Sequence, residues 1–227
     1  MNNFFVTQEG AWGDGSMRMT APSIAIVAAV IALLLVIAAI VRQHRAKRKA
    51  ALTTKQLVYS AMAIALAVVC SMIKLYDLPL GGSVTLISMF FITLIGYWYG
   101  PYVGIMTAVA YGLVQFVMEP IFYTVPQMLL DYPLAFGALG LSGFFHKKKY
   151  GIQLGYLAGV MGRFVFATIS GVVFFASYAP EGMHPLLYSV AYQASYLIPE
   201  ALLTVLVVSF APVTRAITSV QKQAVES

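Results

Sequence analysis

The sequence predicts an all-α membrane protein, built as a six-helix bundle with an additional N-terminal transmembrane helix. The prediction rests on two observations: 60% of the 227 residues are hydrophobic while only 10% are charged, and the apolar residues fall into long runs. An ordinary soluble domain carries about a quarter charged residues. Inside a bilayer each segment must satisfy its own backbone hydrogen bonds, which a helix does. Strand-like alternation is absent, so the sequence does not predict a barrel.

Seven apolar runs approach the length of about 20 residues that a membrane-spanning helix needs. The first, over 23–41, starts too far from the N-terminus for an ordinary signal peptide, and its basic residues follow it. We therefore expect an uncleaved anchor. The other six spans are predicted over 57–73, 83–99, 101–118, 127–145, 152–177 and 186–211.

The runs divide the chain into three parts. Residues 1–54 are predicted to hold an N-terminal tail, the extra helix and a basic linker, and residues 55–215 the six-helix membrane domain. Residues 216–227 are predicted to form a cytoplasmic tail.

The basic residues predict the orientation of the spans, because cytoplasmic loops are enriched in lysine and arginine. With the N-terminus outside and the C-terminus in the cytoplasm, 11 of the 14 basic residues lie inside and only Arg18 and Lys74 outside. The orientation of the spans in the cell membrane therefore accounts for the net charge of +6. Nucleic-acid binding is not predicted, since the basic residues are not interleaved with aromatics. The inside residues are Arg42, Arg45, Lys47, Arg48, Lys49, Lys55, Lys147, Lys148, Lys149, Arg215 and Lys222.

Three ionisable residues fall inside the predicted spans: Asp131, Arg163 and Glu200. Each is costly there and calls for a partner or a function. Arg163 and Glu200 lie at similar depths, about 16 Å from the inner ends of their helices. A structural ion pair between them is the favoured interpretation, and a relay or gate is the alternative. Asp131, about 6 Å below the outer end of its helix, has no basic neighbour in sequence, which makes it a candidate receptor for a cation.

The outer ends of the last two spans supply a layer of aromatic and amide side chains. Aromatic faces attract cations and stack on flat heterocycles. An interfacial aromatic belt is the alternative, but a belt explains neither the acid nor the glutamine at this level. Convergent polar groups in an apolar setting predict a small-molecule site. The layer consists of Phe174, Phe175, Tyr178, Tyr188, Tyr192 and Gln193.

The sequence does not predict an enzyme. It lacks a Ser-His-Asp grouping, a phosphate-binding glycine loop with lysine, and a histidine-rich metal pattern. The single cysteine, Cys70, excludes an intramolecular disulfide. No cofactor or metal is therefore predicted, and this chain cannot itself hydrolyse ATP.

Small residues recur on the first helix of the six, in the string AMAIALA at 61–67. The pairs Ala61/Ala65 and Ala63/Ala67 have the small-xxx-small spacing that lets another helix approach closely. Docking of a partner and packing within the bundle are both open interpretations.

Three segments resemble the thiamine-specific substrate-binding (S) components of energy-coupling factor (ECF) transporters. They are GGSVTLISMFFITLIGYWYG at 81–100, PQMLLDYPLAFGALGLSG at 126–143 and SGVVFFASYAPEGMHPLLYSVAYQASYLIPE at 170–200. The likeness covers about 55–215, and the additional N-terminal helix lies outside the family's six-span plan. It implies a bundle that holds thiamine near its outer face. It also implies a transmembrane coupling subunit and two cytoplasmic ATPases as partners.

The same resemblance assigns roles to individual residues. Asp131 is similar to the family's acid that meets the cationic, aminopyrimidine-bearing ligand, and Tyr132 and Tyr188 are similar to its aromatic and hydroxyl contacts. Arg163 stands where a basic residue is expected, and the alanines match the docking face. The expected ligand-binding set is Asp131, Tyr132, Arg163, Phe175, Tyr178, Tyr188, Tyr192 and Gln193, with Ala61 and Ala65 as partner-docking residues.

Two positions depart from the family pattern. Ala167 stands where a histidine is usual, and Gln193 where an asparagine is usual. Each change removes or shifts a directional hydrogen bond, worth about 1 kcal/mol net. Two further hypotheses therefore stay open: the same fold binding a precursor or analogue such as a hydroxymethylpyrimidine, and a non-transporting membrane interaction protein.

Overall fold

The computed structural model describes residues 6–8, 17–19, 52–146 and 148–225. Near the N-terminus, strands β1 (Val6–Gln8) and β2 (Met17–Met19) pair antiparallel. The helix predicted over 23–41 and the basic cluster that follows it lie outside the described residues.

Six apolar helices follow, as the sequence predicts. Five are long and apolar enough to cross a membrane, and the remaining one, α2, has only 12 residues. The prediction of an all-α membrane fold is confirmed. The helices are α1 (Thr54–Met72), α2 (Ser88–Tyr99), α3 (Pro101–Met118), α4 (Val125–Phe145), α5 (Gly151–Phe174) and α6 (Pro185–Ser209).

A β-hairpin takes the place of the first part of the predicted span 83–99. Strand β3 (Lys74–Asp77) pairs antiparallel with β4 (Ser83–Thr85), and Ile87 has a left-handed backbone immediately before α2. Lys74 Nζ lies 2.9 Å from Glu119 Oε1, which joins the hairpin to the residue after α3. This hydrogen bond raises the pKa of Lys74 above its usual value.

Helix α1 lies at the edge of the bundle. Thr53 and Gln56 begin it with a reciprocal capping box, in which each side chain accepts a hydrogen bond from the other residue's backbone nitrogen. Only 11% of the α1 span is buried, against 56% of the α4 span. Its buried residues are Ala63 and Ala67, so α1 presents most of its surface outward.

Glycine lets α3 and α4 approach closely. A Cβ atom at Gly140 would lie 2.4 Å from the backbone nitrogen of Ile105 and 2.6 Å from the carbonyl carbon of Gly104. A side chain at this position would therefore push the two helices apart. The contact places α4 against α3 in the hydrophobic core.

Residues 211–225 form a seventh helix of the described region, α7 (Ala211–Val225), and include most of the segment predicted as a tail. Ile217 and Ala224 are buried, seven residues apart on one face of the helix. The hydroxyl of Tyr99, at the end of α2, donates to the carbonyl of Ala224 at 3.1 Å. Helix α7 is therefore amphipathic and packed against the bundle.

The chain falls into two compact units. One comprises Leu52–Ser170 and Val190–Ser227 and contains the hydrophobic core. The other includes Gly171–Ser189, where a short 3₁₀ turn over Ala176–Tyr178 separates the end of α5 from the start of α6.

Candidate functional site

Asp131 and Tyr132 lie in a π-helical stretch of α4. The helix is α-helical over Val125–Leu129, widens to a π-helix over Leu130–Leu134, and ends as a 3₁₀ helix over Ala138–Phe145. Pro133 lies inside the π-helical stretch and has no backbone N–H to donate, which disfavours regular α-helical bonding. π-Helical turns inside helices occur frequently at functional sites.

The carboxylate of Asp131 is half-buried and is held by Gln127, one turn earlier on α4. Gln127 Nε2 donates to Asp131 Oδ2 at 2.6 Å. The hydroxyl of Ser170, on α5, is buried and has no hydrogen-bond partner among the residues that the structure describes. The acid that the sequence identifies is therefore held by a polar neighbour on its own helix.

Tyr132 is buried, and the loop before α4 uses both hydrogen-bonding functions of its hydroxyl. The hydroxyl donates to the carbonyl of Glu119 at 2.7 Å and accepts from the nitrogen of Ile121 at 2.8 Å. Its ring packs edge-on against Phe116, with ring centroids 5.0 Å apart. The ring, rather than the hydroxyl, is therefore the part of Tyr132 available for a further contact.

The favoured interpretation of Arg163 and Glu200 as an ion pair is wrong. Among the residues that the structure describes, no carboxylate oxygen lies within 4.0 Å of the Arg163 guanidinium. The guanidinium stacks over the ring of Phe136 instead, 4.1 Å from the ring centroid. Arg163 is thus positioned by a cation–π contact.

Glu200 is 1% exposed and its charge is met by hydrogen bonds from the end of β4 and the start of α2. Oε2 accepts from the nitrogen of Thr85 at 3.1 Å and from its hydroxyl at 2.9 Å, and Oε1 accepts from the hydroxyl of Ser88 at 3.3 Å. Three donors satisfy this buried carboxylate without a cation, which explains why the predicted ion pair is not formed.

Tyr192 and Gln193, at adjacent positions on α6, make bonds within the bundle. The Tyr192 hydroxyl accepts from the nitrogen of Gly82 at 3.0 Å and donates to the carbonyl of Pro79, which ties α6 to the β3–β4 hairpin. Gln193 Nε2 donates to the carbonyl of Ala167 at 3.3 Å. The two positions that depart from the resembled family, 167 and 193, are therefore in contact.

The other three predicted ligand-binding residues lie in the unit that includes Gly171–Ser189. The rings of Phe175 and Tyr178 have centroids 6.1 Å apart, and the nitrogen of Tyr188 donates to the carbonyl of His184 at 3.1 Å. Their roles as ligand contacts remain predictions.

The two alanine pairs of α1 point in different directions. Ala63 and Ala67 are buried in the bundle, whereas Ala61 and Ala65 are exposed. Large apolar side chains that are also exposed surround the second pair. They are Leu57, Val58, Met62, Leu66 and Val69.

Sequence reasoning missed Gln127, Thr85 and Ser88. For Gln127 a signal exists, because a glutamine four residues before an aspartate on a helix is close enough to bond it. Thr85 and Ser88 carry no such signal, since they meet a residue more than a hundred positions away. Within the described ranges, no three His, Cys, Asp or Glu residues lie close enough to hold a metal ion.

Comparison with known proteins gives a consistent result. The family model described as thiamine transporter protein matches residues 57–219. The chain is 34% identical over 164 residues to thiamine transporter ThiT of Bacillus subtilis, covering 66% of this chain and 84% of that protein. It is 30% identical over 95 residues to thiamine transporter ThiT of Lacticaseibacillus paracasei, covering 36% and 47%.

The fold is also similar to a solved structure. A structure of ThiT from Listeria monocytogenes matches with a TM-score of 0.61 and 19% sequence identity. The match covers 74% of this chain and 96% of that one. At this identity the likeness establishes the six-helix fold alone.

Proposed function

Because the chain belongs to the thiamine transporter protein family, we propose that it is the substrate-binding membrane subunit of an ECF-type importer and captures thiamine near the outer face of the membrane. The family is one of transport proteins, so the chain is a multi-pass membrane transport protein and not an enzyme.

The observation that supports the ligand most directly is the state of Asp131. Its carboxylate is half-buried, is oriented by Gln127, and is more than 4.0 Å from the guanidinium of Arg163. A carboxylate in such a setting keeps its charge available to a cation and to amino groups. Thiamine carries both, in its thiazolium ring and its aminopyrimidine ring.

The remaining contacts follow from the chemistry of the same ligand. The ring of Tyr132 and the Arg163 guanidinium lie on the helices that carry Asp131 and Ser170, which suits stacking and hydrogen bonding of a flat heterocycle. We include in the proposed set the aromatic and amide residues of the α5–α6 connection and of α6. These are Phe175, Tyr178, Tyr188, Tyr192 and Gln193.

Transport in this proposal needs partners, because the sequence contains no phosphate-binding loop. A transmembrane coupling subunit and two cytoplasmic ATPases would supply the energy. The exposed pair Ala61 and Ala65 on α1 gives a second helix room for close approach. In the orientation set by the basic residues, the N-terminus is outside and the C-terminus is cytoplasmic.

Calorimetry on the detergent-purified chain tests the proposed ligand. Thiamine, its phosphate esters and its isolated pyrimidine half are titrated in parallel, and we expect saturable binding that is tightest for thiamine. Tighter binding of the pyrimidine half would show that the substrate is a precursor and not thiamine. No binding of any of them would favour a membrane interaction protein.

A further inference from the structure

Gln127 forms a junction between Asp131 and the loop that connects α3 to α4. It is 0% exposed, although it lies only two residues inside the start of α4 at Val125. Its Nε2 atom donates to Asp131 Oδ2 at 2.6 Å and to the carbonyl of Ile121 at 3.0 Å. Its Oε1 atom accepts from the backbone nitrogen of Tyr123 at 3.0 Å.

These three contacts leave one orientation for the amide. The backbone nitrogen of Tyr123 is a donor and requires the amide oxygen opposite it. The NH₂ group then faces two acceptors, the Ile121 carbonyl and the Asp131 carboxylate. A flipped amide would set donor against donor and oxygen against oxygen. Both donors and the acceptor of Gln127 are therefore used, and any rotation of its amide breaks several bonds together.

The same loop is fixed a second time by the residue after Asp131. The Tyr132 hydroxyl bonds the nitrogen of Ile121 and the carbonyl of Glu119. Residues 131 and 132, the two neighbours on the π-helical stretch, are thus both connected to the 119–123 backbone, Asp131 through Gln127 and Tyr132 directly. Of the two residues, only Asp131 carries a charge.

We propose that Gln127 is a positioning residue for ligand binding, which holds the Asp131 carboxylate in its receiving orientation and couples that carboxylate to the 119–123 backbone. The inference rests on the proposed role of Asp131 as a ligand receptor. A bond to one carboxylate oxygen restricts rotation of the side chain, so the carboxylate is already oriented before ligand arrives.

A double-mutant cycle tests the coupling. Thiamine affinity is measured by calorimetry for the wild type, Gln127→Met, Asp131→Asn and the double variant. Loss of a hydrogen bond to a charged group should weaken binding about tenfold in Gln127→Met. In the Asp131→Asn background the same change should weaken binding by less than about threefold, because the charge that Gln127 orients is gone.

The outcomes separate the inference from the proposed function. An equal loss in both backgrounds would show that Gln127 supports only the fold and would overturn the inference. An Asp131→Asn variant with wild-type affinity would overturn the proposed function, and the inference would fall with it. Gln115→Met is the matched control, since Gln115 is a buried amide whose Nε2 donates to the Tyr111 hydroxyl; it should leave thiamine affinity unchanged.

Hydrogen exchange adds a second readout, because only the coupling makes exchange of the Tyr123 amide depend on thiamine. In the wild type, thiamine should slow exchange of the Tyr123 amide, and in Gln127→Met thiamine should no longer change the exchange rate of this amide. The Ile121 amide, held by Tyr132, should stay protected in both and serves as an internal reference. A thiamine effect on Tyr123 that persists in Gln127→Met would overturn the coupling. If Gln127→Met does not fold, Gln127→Asn is used in the same cycle, since it keeps an amide but withdraws it by one methylene.

Discussion

Glu200 and Thr85 are joined by two hydrogen bonds to one carboxylate oxygen, from the Thr85 nitrogen at 3.1 Å and from its hydroxyl at 2.9 Å. Glu200 lies on α6, and Thr85 ends β4 just before α2. A buried charge on one helix thus fixes the start of another, which is a stabilising use of an ionisable residue that needs no cation.

This relationship predicts the effect of neutralising Glu200. Glu200→Gln keeps the size of the side chain but removes its charge, so that the bonds from Thr85 become weaker and the NH₂ group can no longer accept from the Ser88 hydroxyl. We expect the free energy of unfolding to fall by about 1–3 kcal/mol, seen as a lower melting temperature in detergent. Thr85→Val, which removes one donor only, should cause a smaller decrease. A melting temperature of Glu200→Gln equal to that of the wild type would contradict the assigned hydrogen bonds.

Asp131→Asn should affect binding and spare the fold. The amide retains an oxygen that can accept from Gln127, but it loses the charge that meets the ligand. Thiamine affinity should weaken by about 2–3 kcal/mol, the scale of a charge-assisted hydrogen bond, or about 30- to 150-fold in Kd. Calorimetry and thermal melting of the same preparation measure the two effects. A lowered melting temperature with unchanged affinity would make Asp131 a structural acid.

Leucine at Ala61 and Ala65 should block transport without affecting ligand binding. Both alanines are exposed, so the bundle has room for larger side chains, whereas a second helix docked there would be pushed away. Thiamine uptake is measured in cells that coexpress the coupling subunit and ATPases, and binding is measured on the purified chain. Leu202→Trp, at another exposed position, is the control. Normal uptake by the variant with leucine at both positions would show that α1 is not the docking helix.

The charge pattern predicts the accessibility of the two chain ends. A tag at Asn2 should be labelled from outside intact cells, and a tag after Ser227 should be labelled only after permeabilisation. The reason is the concentration of basic residues in loops assigned to the cytoplasm. Labelling of the C-terminal tag in intact cells would reverse the orientation of the whole bundle.

Much of the architecture is encoded in local sequence. The number and length of spans follow from apolar runs, because bilayer thickness sets the length of a spanning helix, and five of the six predicted core spans form helices of at least 18 residues. Asp131 can be identified from the sequence alone, because burying an acidic side chain in a membrane span is costly whichever helices surround it. The α1 alanines are visible too, but their division into buried and exposed pairs is not.

Tertiary structure decided what the ionisable side chains touch. Arg163 and Glu200 have equal depth in sequence, yet Arg163 stacks on Phe136 and Glu200 bonds Thr85, which is 115 positions away. Residues 83–87 lie in an apolar run that predicts helix, but pairing of β4 with β3 takes 83–85 out of α2, and Ile87 has a left-handed backbone. An apolar run enters the bilayer whatever its neighbours are, so the spans can be predicted from composition and run length alone. A hydrogen bond forms only where the packed helices bring a donor within reach of its acceptor.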